Sequence, residues 1–136
     1  MDVNTSTTRL SSACFHVSDL ERSVSFYTEA FDMVETARWE PGSLVEVVLK
    51  FKEGQEAAGI MLMWDKERNG TVELGTGYSR LAIIVDDIGE TVERVRRHGC
   101  EASDHGEIPG IGIKVAMAKD PDGYAFELVE GYMPGI

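Results

Sequence analysis

The chain carries one structural plan twice. Asp19-Leu20 and Asp87-Ile88 stand sixty-eight positions apart, and each pair follows a strand-like run and opens a stretch of helical apolar spacing. An aspartate there suits a helix start, because its carboxylate accepts a hydrogen bond from an N–H group that the first turn leaves unpaired. Leu20, Val24, Tyr27 and Phe31 recur at helical spacing, which predicts an amphipathic helix over residues 20–31. Gly99 stops the second helix, expected over 88–98. Strand-like runs surround both helices, at 9–17, 34–39, 44–52 and 57–64 in the first half and at 78–86, 100–105, 113–118 and 124–130 in the second. Pro41-Gly42 and Glu53-Gly54 break the first set. The expected fold class is α+β: two tandem βαβββ modules forming curved eight-stranded sheets around a cleft, each sheet with a helix on one face. Residues 1–8 read as a disordered tail and 9–136 as a single domain. Module one is expected at 9–64, a connecting loop at 65–77 and module two at 78–130.

Composition narrows the partners. With 13 Lys and Arg against 24 Asp and Glu, the net charge of −11 opposes nucleic acid and anionic membranes. No apolar run reaches the roughly 18 residues of a membrane span, and no signal-peptide pattern opens the chain. Cys14 and Cys100 match no metal or redox spacing, so a reducing cytoplasmic setting is expected, with both thiols as small core residues.

Residues 119–130 carry the sharpest chemical signal. Pro121-Asp122-Gly123 reads as a tight turn, with proline presetting φ and glycine accepting a positive φ. In the strand that follows, Phe126 and Leu128 point one way, and Ala125, Glu127 and Val129 the other. A lone acid among apolar neighbours on a sheet face is costly unless it is paired or binds a cation. Glu127 is therefore a site residue or half of an ion pair. The repeat places Met61 opposite Glu127 in the plan, and Ser12 opposite Arg80, so four side chains are expected to converge at the pseudo-axis. Cys14 and His16 share the face of Ser12, and Met61, Met63 and Trp64 read as a soft apolar wall suited to a flat or aromatic ligand. His105 adjoins the glycine-rich segment 106–112, which reads as a lid. His98, at a helix end, reads as structural.

Three segments carry a resemblance to a known superfamily. They are Val17-Ser18-Asp19-Leu20-Glu21-Arg22-Ser23-Val24-Ser25-Phe26-Tyr27, Glu73-Leu74-Gly75-Thr76-Gly77-Tyr78, and Asp120-Pro121-Asp122-Gly123-Tyr124 with Glu127-Leu128. Through them the chain resembles the vicinal oxygen chelate superfamily, which includes glyoxalase I, extradiol dioxygenases, methylmalonyl-CoA epimerase and bleomycin-resistance proteins. The second segment leans toward bacterial glyoxalase I. The resemblance implies metal ligands at Ser12, Met61, Arg80 and Glu127, and only Glu127 is a residue that such a site uses. A serine hydroxyl is a poor donor, a thioether suits soft ions, and arginine is a fixed cation. His16 and Asp65 likewise stand where the resemblance implies an Arg and an Asn for glutathione, and Asp65 would oppose an anionic tripeptide.

The expectation is a metal-independent isomerase or lyase for a small organic metabolite, aromatic or anionic. Arg80 would stabilise an anion, and Glu127 or His16 would move a proton. Ser12, Cys14, Met61, Met63, Trp64 and His105 are the expected substrate contacts. No cofactor is expected, and a homodimer is. Two alternatives stay open: a non-catalytic drug or intermediate binder like the bleomycin-resistance proteins, and a divalent-metal lyase with relocated ligands such as His16 and Glu127.

Overall fold

A computed structural model describes residues 6–68, 70–131 and 135, so most of the expected tail at 1–8 lies outside the described residues. Two four-stranded sheets each carry one helix. In module one, β1 (Ser12–His16), α1 (Leu20–Ala30), β2 (Met33–Trp39), β3 (Leu44–Phe51) and β4 (Gly59–Asp65) build a sheet of order β1-β4-β3-β2. In module two, β5 (Leu81–Ile84), α2 (Ile88–Arg97), β6 (Gly106–Glu107), β7 (Lys114–Lys119) and β8 (Ala125–Glu130) give β5-β8-β7-β6. Both sheets are mixed: β1 runs parallel to β4 and β5 parallel to β8, and the other pairs are antiparallel.

The repeat is kept down to its caps. Asp19 Oδ1 accepts from Arg22 N at 3.2 Å, and Asp87 Oδ1 from Glu90 N at 3.1 Å. Each such cap is worth about 1 kcal/mol. The strand register repeats as well: Cys14 lies opposite Met61, and Ala82, sixty-eight positions on, lies opposite Glu127.

Strand alternation divides each sheet into a helix-covered face and an open one. Phe15, Val45, Val47, Leu49, Ile60 and Leu62 are buried on the covered side of module one, and Ile83, Ala116, Ala118, Phe126 and Leu128 on that of module two. These faces and both helices share one core. Phe126 of β8 packs its ring against Tyr27 and Phe31 of α1, at centroid distances of 5.7 and 5.3 Å. Phe15 stacks on Tyr124 at 4.7 Å.

The turn after β7 clamps the modules together. Asp120 is almost fully buried and accepts from Tyr27 Oη at 2.5 Å and from the N–H groups of Asp122 and Tyr124 at 2.9 Å each. Asp122 accepts from Ser18 N at 3.1 Å and from Ser18 Oγ at 2.5 Å. Gly123 closes the turn with φ 94°, a value that favours glycine.

One expected strand is displaced. Segment 100–105 forms only a single bridge, Ala102 to Ala118, and the ladder resumes at Gly106–Glu107. The bridge keeps two backbone bonds, Ser103 N to Met117 O at 2.8 Å and Lys119 N to Glu101 O at 2.9 Å, but Met117 N donates to Ser103 Oγ at 2.9 Å, and the Arg96 guanidinium holds the outward Ala102 carbonyl at 2.9 Å. The expected lid therefore begins as β6 and turns tightly through Ile108 N to Ile113 O at 2.9 Å.

Candidate functional site

Arg80 and Glu127 meet on the open face of module two. Arg80 stands just before β5, diagonal to Glu127 on β8, and its Nε donates to Glu127 Oε1 at 2.9 Å. The carboxylate sits between Ala82 of β5 and Met117 of β7 in the register. The Arg80 side chain is 46% exposed and that of Glu127 26%. Arg80 Nη1 reaches Ser79 Oγ at 3.3 Å, and Nη2 has no partner among the described residues. Oε2 of Glu127 is likewise uncommitted there. A hollow of about 330 Å³ on this sheet is lined by Met117, Lys119, Ala125 and the 101–103 segment, and by neither Arg80 nor Glu127.

The open face of module one carries the sulfur groups. Cys14 is opposite Met61 and His16 opposite Met63, so all four project from one side of β1 and β4. Cys14 Sγ lies 4.0 Å from Met61 Sδ. Cys14 is exposed, not the small core residue expected, because alternation along β1 turns it to the open face; His16 is exposed as well, and the methionines are half-buried. Glu46 of β3 adjoins Met63, and Trp39 of β2 follows Glu46 at the rim.

Three sequence expectations change here. Trp64 is not part of the methionine wall: it pairs with buried Val45 on the helix-covered side, because alternation turns it away from Met63. It lines instead a cleft beside the start of α1, with Arg38, Glu40 and Lys66. His105 is not near Glu127 either. Its ring stands over Gly89 in the first turn of α2, 3.6 Å from where a Cβ on that glycine would lie. Thirdly, the four repeat-related side chains do not converge within one chain. Among the described residues no bond, ion pair or strand pairing links Ser12 or Met61 with Arg80 or Glu127. The apolar covered faces bury each other through the helices, which leaves the two open faces apart.

Sequence reading missed Met117 and Ser79 as neighbours of the pair. The signal for Met117 was present: on β7 it alternates with buried Ala116 and Ala118, so it shares the face of Glu127.

Residues 9–128 match the Glyoxalase/Bleomycin resistance protein/Dioxygenase superfamily. The chain belongs to this superfamily. It is 34% identical to a lactoylglutathione lyase of Haemophilus influenzae over 84% of this chain and 86% of the relative. It is 32% identical to the lactoylglutathione lyase of Escherichia coli O157:H7 over 90% and 92% of the two chains. Among solved structures, glyoxalase I from Zea mays superimposes with a TM-score of 0.81 at 27% identity, covering 92% of this chain and 45% of the maize chain. The present chain thus spans under half of that protein. No described helix is long and apolar enough to cross a membrane.

Proposed function

We propose that the protein is a lyase or isomerase that moves a proton next to a carbonyl in a small organic metabolite, with the Arg80–Glu127 pair doing the work of a bound metal. The observation that carries this reading is the pair itself. A guanidinium 2.9 Å from the carboxylate supplies a fixed positive charge at the family's ligand position. Ser12, Met61 and Arg80 do not fit a hard divalent ion, which needs nitrogen, oxygen or thiolate donors. Stability does not account for the pair, because an ion pair this exposed is worth only about 0–1 kcal/mol.

The chemistry follows from the free atoms. Glu127 Oε2 takes a proton from carbon beside a carbonyl, and the electron pair moves onto the carbonyl oxygen. Arg80 Nη2 donates to that oxygen as its charge develops. Where the carbon that lost the proton bears a hydroxyl, the enediolate takes the proton back at the former carbonyl carbon, the hydroxyl proton passes to the oxyanion, and the hydroxyl-bearing carbon becomes the new carbonyl, which completes an isomerisation. The lyase names of the relatives at 32–34% identity favour this reading over simple sequestration. The site is too open in one copy to exclude water, so we place a second copy over it, offering the Cys14, His16, Met61 and Met63 face as the other wall of a homodimer's shared cleft.

The test is deuterium exchange, followed by NMR, at carbon beside the carbonyl in a panel of 2-hydroxy acids and their thioesters, lactoylglutathione included, with chelator present. Wild-type dimer should exchange at least one panel member. Glu127→Gln should slow it by about 100-fold or more, with substrate affinity nearly kept. No exchange of any member points to a binder, exchange that requires added divalent ion restores metal catalysis, and a monomer in sedimentation sinks the shared cleft.

A further inference from the structure

Three sulfur atoms and an imidazole on one open sheet face make an unusual surface. β-branched residues are the usual occupants of such positions, and here Met61 and Met63 alternate along β4 beside Cys14 and His16 on β1. The cysteine does not stand alone, because a thioether lies 4.0 Å from its thiol. Two sulfurs bonded at about 2.3 Å to one ion in a trigonal arrangement stand about 4 Å apart. Met63 and His16 sit one pleat further on, about 7 Å along the strands, within reach of a methionine's three rotatable bonds. The His16 imidazole and the Met63 thioether have no partner among the described residues.

We propose that Cys14, Met61, Met63 and His16 form a binding site for a soft monovalent cation of the Cu(I) or Ag(I) type. Thiolate and thioether donors select soft ions, and neutral imidazole is compatible with copper. The thiol proton is released as the metal–sulfur bond forms, so affinity rises with pH. The thiolate cancels the ion's charge, and the loaded site is neutral. The acidic chain, at net charge −11, attracts cations toward it. This site uses neither Arg80 nor Glu127 and is argued from the sulfur face alone, although the same face is the wall proposed for the shared cleft, so a bound ion would sit in that cleft.

The experiment is anaerobic titration of the full chain with Cu(I) against a chromogenic Cu(I) chelator, with X-ray absorption at the copper edge. The expected result is about one Cu(I) per chain with a shell of sulfur neighbours. Cys14→Ser should lower affinity by about 100-fold or more, and Met61→Leu with Met63→Leu by at least about 10-fold, since leucine conserves volume and removes only the donor. Cys100→Ser and Glu127→Ala should leave it unchanged. The proposal is overturned if wild type cannot compete with the chelator. It is equally overturned if the double methionine variant binds as well as wild type, which would reduce the site to a bare thiol, or if Cys100→Ser abolishes binding. Thermal melts of each variant confirm folding. Loss of catalysis in Glu127→Gln with Cu(I) affinity intact separates this site from the reaction.

Discussion

Ser23 shows how a single residue sets the local balance. It lies fully buried on α1, and its hydroxyl is the one buried side-chain oxygen or nitrogen without a partner among the described residues. Alanine there removes an unpaired polar atom and improves helix propensity. Ser23→Ala should therefore raise stability by about 1 kcal/mol in urea unfolding, whereas a loss would show that the hydroxyl is satisfied. Asp120 works in the opposite sense, because its three donors hold a carboxylate in the core. Burial pushes its pKa above the ordinary aspartate value, against the hydrogen bonds that oppose the shift. The folded state thus holds the proton longer than the unfolded state. Stability from this group falls as pH rises from the ordinary value through the raised one, and returns on acidification. Glu35, held low by Arg38, contributes the reverse slope, losing its share as pH falls through its depressed value. Asp120→Asn, which keeps an acceptor for the two backbone N–H groups, should remove only the first slope. Unfolding free energies measured across that range would then show a variant less favoured by acid than wild type, and parallel curves would refute the assignment.

At the scale of elements, β4 rests on one glycine. A Cβ at Gly59 would meet the Leu49 carbonyl oxygen of β3 at 2.2 Å, a backbone atom that cannot step aside alone. Gly59→Ala should cost about 1–3 kcal/mol through forced separation of β3 and β4, visible as a lowered urea midpoint, and a neutral effect would mean that the strands part without strain. The helices and most strands were legible because their signals are local: Asp19 and Asp87 cap, and apolar spacing marks one buried stripe. The strand expected at 100–105 shortens to a single bridge, because Ser103 Oγ takes the Met117 N–H that would have extended the ladder, and nothing local in the sequence announces that exchange. Parity along β1, β4 and β8 correctly grouped Cys14 with His16, Met61 with Met63, and Glu127 away from Phe126. Trp64 was misplaced by its nearness to Met63 in sequence, although the same parity turns it to the other face.

At the scale of the whole molecule, the two modules join through their helix-covered faces. Tyr27 to Asp120, Ser18 to Asp122 and the Phe126 ring cluster hold that joint. The repeat predicted both modules but not their mutual packing, which depends on which apolar faces bury each other in three dimensions. That packing separates the two halves of the expected site and leaves Arg80–Glu127 as a self-contained pair on an open sheet. In the proposed chemistry this pair takes the place of a divalent ion. Elemental analysis of protein purified without chelator tests it most directly, with Glu127→Ala alongside. The account predicts almost no zinc, nickel, manganese or iron in either protein, with any copper equal in both. About one divalent ion per chain in wild type, lost in Glu127→Ala, would contradict it and put a metal where the guanidinium is proposed to act.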